Sequence, residues 1–357
     1  MISTPKQLGF MMPAEWEKHS AVWFAWPYDT TTFTKGIDNA EKTLCRIIKA
    51  LEGSEKVEMI VLDSVMQSRA EDLLKAYGND LSNINFHQVV FADVWVRDYG
   101  PFFIINRRQN KLGWVKWIYN AYGKVHNPKY AKFVQLLKDN EVFNILKPHG
   151  KKFIASMVLE GGGVEINGKG SLLATKQSLL NPNRNPNLNE EQIEHYLKDY
   201  LGVNNIIWLS TGLINDHTDG HIDDIARFVA SDKILAAYED DEADENFKIL
   251  DENYKVLTSA RDQDGKLFEV IKLPMPHMNY DDGQKAPVSY ANFYIGNTVV
   301  LAPIFGDSND EKALAIIQYC FPKRKVVGID CKEIIYGGGS IHCMTQQQPV
   351  ALIHDVI

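Results

Sequence analysis

An α/β ring of five repeated units is the fold class the sequence predicts, and three observations predict it. A strand, hairpin turn, strand, capped helix, strand order recurs along the chain. Chemically unusual residues open the units at a near-constant spacing: Asp98 to Glu160 is about 62 residues, Glu160 to His221 about 61, and His221 to Cys343 about 122, or two periods. The last unit lacks a helix, whereas the start of the chain supplies a strand and a helix that complete it, so the five units close on themselves.

The elements follow in order. Residues 21–26, rich in aromatic and β-branched side chains, read as a strand, and 39–51 as the helix after it. Asp98 opens the next unit behind Trp95-Val96-Arg97, with a longer hairpin through Arg107-Arg108-Gln109-Asn110. Glu160 leads Gly161-Gly162-Gly163, a strand, a turn at Asn167-Gly168, the strand 171–175, a helix whose start is marked by Asn189-Glu190-Glu191-Gln192, and the strand 206–209. His221 leads the strand 225–230, a turn at Ser231-Asp232, the strand 234–238, an acidic excursion into a helix over 247–257, and the strand 268–271. Strands at 293–295 and 299–302 flank Gly296-Asn297, followed by a helix start at Ser308-Asn309-Asp310-Glu311 and the strand 326–329. The final unit carries Gly337-Gly338-Gly339-Ser340-Ile341-His342-Cys343, read as a thiol on an apolar strand behind a glycine-cleared floor, and runs to Ile357 without a helix. No low-complexity linker divides the chain, so one domain is expected over residues 1–357.

Composition narrows the function. A hydrophobic content of 45% and a charged content of 24% are ordinary for a globular protein. The formal net charge of −8 argues against a nucleic-acid partner gripped through phosphates. Cys45, Cys320, Cys331 and Cys343 form no CxxC pair and no export pattern opens the chain, so reduced thiols and a cytoplasmic location are expected. The longest apolar stretches, such as 298–305, fall far below the roughly 20 residues of a membrane-spanning helix, so no membrane partner is expected.

The odd residues suggest a thiol site among carboxylates. A free thiol is mostly protonated near neutrality, so a nucleophilic Cys343 needs a base or a bound cation. On a strand His342 would face away from Cys343, which makes His221 the better partner, with Asp223 on the same face. Asp98 and Asp223 suit a planar cation with several N–H donors, since a carboxylate accepts a guanidinium two bonds at a time. Each residue has a plainer reading: a lone cysteine is most often a small core residue, an acid at a strand start a turn former, and Glu160 the prelude to a tight turn. His217 and His221 sit at i,i+4, but a metal pair needs a helix there and Gly220 with the β-like run beyond argues for a strand, so no metal is expected. Neither glycine triplet is followed by the Lys-Ser/Thr of a phosphate loop. The recurrence of such residues at one period favours catalysis.

The segments Trp95-Val96-Arg97-Asp98-Tyr99-Gly100-Pro101, Leu159-Glu160-Gly161-Gly162, Asn181-Pro182-Asn183-Arg184-Asn185-Pro186, Asp219-Gly220-His221-Ile222-Asp223, Tyr290-Ala291-Asn292-Phe293-Tyr294-Ile295 and Gly338-Gly339-Ser340-Ile341-His342-Cys343-Met344-Thr345-Gln346-Gln347 together resemble the agmatine deiminase and bacterial peptidylarginine deiminase family, in order and over nearly the whole chain. The resemblance implies the five-bladed α/β propeller (pentein) of the guanidine-modifying enzymes, no metal or organic cofactor, and hydrolysis of agmatine to N-carbamoylputrescine and ammonia, a step toward putrescine and the polyamines. It implies Cys343 as nucleophile, His221 as general acid and base, Asp98 and Asp223 as guanidinium clamps, and Glu160 as the acid that orients the histidine. Trp95, Asp216 and His217 join Asp98 and Asp223 as substrate-binding candidates. Agmatine-specific members are expected to carry an acid four residues before the catalytic histidine; here His217 stands there, with Asp216 before it. Arginine or peptidyl-arginine is therefore the alternative substrate, and a non-catalytic binder of guanidino compounds the alternative from another class. The expected partner is a small cationic guanidino substrate, and association into a homo-oligomer is compatible with the chain.

Overall fold

β-Branched and aromatic runs form sixteen strands in the computed structural model, which describes residues 3–124 and 135–351. They are β1 (His19–Ala25), β2 (Lys56–Val61) and β3 (Ile84–Gln88); β4 (Phe102–Asn106), β5 (Lys111–Ile118) and β6 (Lys151–Val158); β7 (Glu165–Ile166), β8 (Ser171–Thr175) and β9 (Asn205–Leu209); β10 (Ala226–Ala230), β11 (Lys233–Tyr238) and β12 (Glu269–Pro274); β13 (Tyr294–Ile295), β14 (Val299–Ile304) and β15 (Lys325–Asp330); and β16 (Gln346–Pro349). Each group of three makes its own mixed sheet, and β16 joins the first as the neighbour of β1. The two ends of the chain thus share one sheet. The last stretch to Ile357, expected to carry no helix, lies outside the described residues.

All five sheets have the same pairing. An antiparallel pair (β16 with β1, β4 with β5, β7 with β8, β10 with β11, β13 with β14) is followed by a parallel one. Parallel neighbours need a crossover, and a helix supplies it in every unit: Ile37–Ala50, Asp139–Leu146, Glu190–Leu201, Phe247–Ser259 and Asp310–Cys320. The helix Glu190–Leu201 shows why these residues fold so. Asn189 and Gln192 form a reciprocal capping box, Gly202 closes the other end at φ 74°, and Ile193, Leu197 and Leu201 recur on one buried face.

Two features differ from the sequence expectation. The first sheet has an extra helix, Ser64–Ala76, capped by the Asp63 carboxylate at the Val65 and Met66 N–H groups, and a fourth strand, β3. The segments bearing the odd residues are short turns rather than strands. Asp98 lies in the single helical turn Val96–Tyr99, Glu160 precedes the turn Gly161–Gly163, and His221 precedes the turn Ile222–Asp224. Cys343 sits in a turn closed by Met344 N–H to Ile341 O and Thr345 N–H to His342 O, with strand geometry starting only at Gln346. A side chain in a tight turn escapes the alternation of a strand, and every one of these turns enters the first strand of its sheet. No helix of the described residues is long and apolar enough to cross a membrane.

Candidate active site

The turn Val96–Tyr99 ends at Gly100, where a Cβ would lie 2.2 Å from the Val96 carbonyl oxygen. This tight exit buries Asp98. Its carboxylate accepts from the Gly162 N–H at 3.0 Å and the Tyr122 hydroxyl at 2.8 Å, and its Oδ1 lies 3.8 Å from Nδ1 of His221. Burial pushes the Asp98 carboxyl up to about 6; His221 opposes that rise and the charge of Asp223 adds to it.

Gly162 is the hub. A Cβ at this position would stand 2.5 Å from His221 Nδ1 and 3.1 Å from both Asp223 Oδ2 and Asp98 Oδ1, so three site residues crowd one bare α-carbon. Gly162→Ala is expected to fold, by its melting curve, and to lose activity by about 10²-fold or more through displacement of these groups. Unchanged turnover would refute that crowding.

Cys343 is buried. Its Sγ accepts from the Asn292 amide nitrogen at 3.3 Å and lies 3.9 Å from Asp223 Oδ2. A Cβ at Gly339 would meet the Trp95 ring at 2.9 Å and this sulfur at 3.1 Å. Burial, then the charges of Asp223, Asp224 and Asp98, raises the thiol well above its ordinary range. A single positive charge beside these carboxylates would offset part of that rise.

His342 corrects the strand reading. Its ring does not face away from the thiol's surroundings: Nδ1 is 2.7 Å from Asp223 Oδ2, the same oxygen that Cys343 approaches, because both residues sit in one turn. Glu160 is held by Arg184 Nε at 2.8 Å on Oε1, and Arg184 also donates to the Thr218 carbonyl at 2.7 Å and pairs with Asp219. Among the described residues Glu160 Oε2, Asp223 Oδ1 and both ring nitrogens of His221 have no hydrogen-bond partner, although all are buried. No hydrogen bond joins Glu160 to His221.

A cavity of about 540 Å³ lies beside this cluster, lined by Trp95, Tyr122, His217, Tyr280, Tyr336 and Gly338, with Asp93, Asp281 and Asp282 as its acids and Lys35 as its other charged group. Trp95 flanks Gly339 together with the thiol, and Tyr122 donates to Asp98, so both adjoin the cluster. His217 packs edge-on against Tyr122 at 5.2 Å between ring centroids. Asp216 is not on the cavity wall: its carboxylate accepts from the Thr218 N–H at 2.8 Å, the Thr218 hydroxyl at 2.7 Å and the His221 N–H at 3.1 Å, so it shapes the loop before His221. The group of metal-competent side chains found among the described residues, Glu239, Asp244 and His277, involves none of these residues, and Lys285 pairs with its Asp244.

Sequence reasoning gave no role to Asn292, Tyr122, Arg184, Glu15 or Arg227. Asn292 was findable: it opens the unit that the two-period gap between His221 and Cys343 skips. With it, each of the five sheets contributes a turn to one site. Arg227, a lone cation inside the apolar run 225–230, was a second signal. Tyr122 carried none, since its position depends on a left-handed backbone at φ 59°.

Known proteins resemble this chain over nearly its whole length. The chain is 36% identical over 369 residues to an agmatine deiminase of Ectopseudomonas mendocina, with 98% of each chain covered, and 35% identical over 376 residues to an agmatine deiminase of Medicago truncatula, covering 97% of this chain and 98% of that one. The solved structure of the agmatine deiminase of Enterococcus faecalis superposes with a TM-score of 0.89 at 32% identity, covering 99% of both chains. The model of the Porphyromonas-type peptidyl-arginine deiminases matches residues 11–349. Over that span, nearly its whole length, the chain belongs to the Porphyromonas-type peptidyl-arginine deiminase family.

Proposed function

We propose that this chain is an agmatine deiminase, hydrolysing agmatine to N-carbamoylputrescine and ammonia through a covalent intermediate on Cys343. The observation that carries the reading is the convergence of Asp98, Asp223, His221 and the Cys343 thiol from three sheets upon Gly162 and Gly339, with the buried Oδ1 of Asp223 unpartnered among the described residues. In our reading the five sheets are blades of a closed five-bladed propeller, and the chain is one catalytic domain.

Asp98 and Asp223 accept the guanidinium N–H groups and hold its central carbon over the sulfur. The bound cation lowers the cost of the thiolate, which adds to that carbon. The proton that the thiol gives up passes to His221, which delivers it to the departing ammonia as the C–N bond breaks, leaving an S-alkylthiouronium on Cys343. His221 then takes one proton from water as its oxygen adds to the same carbon, and the other goes to the sulfur as the C–S bond breaks and the ureido product forms. Glu160, fixed by Arg184, supplies its remaining oxygen to the imidazole. Trp95 walls the passage to the cavity that takes the aliphatic chain.

The tail decides the substrate. Agmatine ends in an ammonium, and the cavity offers Asp93 and Asp282 besides Asp281, which Lys35 already engages. Free arginine adds an α-carboxylate, for which the cavity's cation is Lys35, already paired with Asp281. His217 leaves the distal end without the acid expected at that position, so in this chain the cavity acids bear that task. Ammonia release from agmatine is expected to exceed that from arginine or an arginine peptide by about tenfold or more in kcat/KM, since a missing charge partner costs more than 1 kcal/mol. Equal or greater release from arginine or the peptide would move the assignment to those substrates, and mass spectrometry of the product checks the ureido group.

A further inference from the structure

A chain of buried charges adjoins the thiol site and takes no part in the steps above. His342 joins two carboxylates: Nδ1 lies 2.7 Å from Asp223 Oδ2 and Nε2 lies 2.8 Å from Glu15 Oε2. Carboxylates at both nitrogens place a proton in each contact, because an ionised carboxylate only accepts. Glu15 is fixed in turn by Arg227 Nη2 at 3.0 Å, and Arg227 is fixed by Glu165 and by the carbonyls of Ala291 and Phe293. The backbone of His342 is equally constrained, its N–H on Asn292 Oδ1 at 3.0 Å and its carbonyl accepting from Arg97 Nε at 3.2 Å.

The consequence falls on Asp223. Its Oδ2 is occupied by His342, with the Asn292 amide at 3.3 Å, while Oδ1 has no partner among the described residues. We propose that His342 is a positioning residue for guanidinium binding: anchored on Glu15, it holds Oδ2 of Asp223 and so fixes Oδ1 as the oxygen presented to the substrate. This rests on the guanidino reading of the site. Burial opposes ionisation of Asp223 most strongly, but the hydrogen bond from His342, then its charge and the charges of His221 and Arg227, together hold the carboxyl below its usual range.

Two substitutions separate positioning from mere packing. An asparagine amide reaches where Nδ1 stands and can serve Asp223 alone; a glutamine amide reaches where Nε2 stands and can serve Glu15 alone. In a Cys343→Ala background, where ligand is not consumed, calorimetry reads agmatine and, as a probe without the tail, methylguanidine. His342→Gln is expected to weaken both by about tenfold or more and His342→Asn by less than about threefold, in keeping with loss or retention of one charge-assisted hydrogen bond. In the thiol-containing enzyme the same split appears in KM. If His342→Gln does not fold, His342→Ala carries the comparison. Equal weakening by the asparagine and glutamine variants, or unchanged affinity in the glutamine variant, overturns the proposal. Wild-type protein that releases no ammonia from agmatine, alongside the predicted pattern for methylguanidine, would instead sink the functional reading alone.

Discussion

Replacement of Cys343 by alanine is expected to reduce ammonia release by at least about 10⁴-fold, the scale seen when the nucleophile of a covalent mechanism is removed, while agmatine binding survives. The two halves of this expectation have different causes. On the proposed mechanism turnover needs the sulfur because it forms the bond to the guanidinium carbon. Binding does not, because Asp98 and Asp223 are the proposed holders of the cation and the uncharged thiol offers it nothing. Burial and then three neighbouring carboxylates keep that thiol protonated without ligand, so the alanine variant loses no charge from the site. Calorimetry with agmatine and a coupled ammonia assay on the same preparation test both halves. Residual turnover within tenfold of wild type would remove Cys343 from the chemistry, and loss of binding would mean that the clamps depend on the sulfur.

The sequence made the candidate catalytic side chains legible and left their supports hidden, for a physical reason. Asp98, Glu160, His221 and Cys343 announce themselves because charged, imidazole and thiol groups beside glycines conflict with the apolar runs they introduce, and their common spacing joins them. The repeat also carried the sheets: the hairpin, helix and strand order reads off the turns at Asn167, Asp232 and Asn297 and the cap at Asn189. Local conformation was harder. Period-two reasoning placed His342 and Cys343 on opposite faces of a strand, whereas hydrogen bonds to Asn292, 50 residues away, and to Arg97, 245 residues away, bend that segment into a turn. Glu15 and His342 lie 327 residues apart, and nothing in the neighbourhood of Glu15 marks it as a partner. Such contacts join turns that enter different sheets, which local pattern does not encode.

Asp98→Asn is expected to make the ligand-free protein more stable at pH 7.5 while lowering turnover by about 10²- to 10³-fold or more, the scale for removing one preorganised electrostatic contact. The carboxyl of Asp98 is pushed up to about 6 from 3.8, chiefly by burial. The folded state therefore binds its proton more tightly than the unfolded chain does. Between roughly pH 4 and 6 folding loses stability as pH rises, and above pH 6 the whole penalty of holding the buried charge is present. Asparagine cannot ionise. Its carbonyl still accepts the Gly162 N–H, and its amide can donate to the Tyr122 hydroxyl, so the main change is removal of that penalty, about 1–3 kcal/mol from a shift of this size. Urea unfolding should show the gain at pH 7.5 and its disappearance near pH 4, where Asp98 is protonated in the wild-type fold. A variant less stable at pH 7.5, or a gain equal at both pH values, would mean that the carboxylate is stabilised in the empty site. The expected sign has a mechanistic meaning: a buried anion that costs stability without ligand recovers that cost when a guanidinium arrives, so part of the affinity for substrate is stored in the fold as an unneutralised charge.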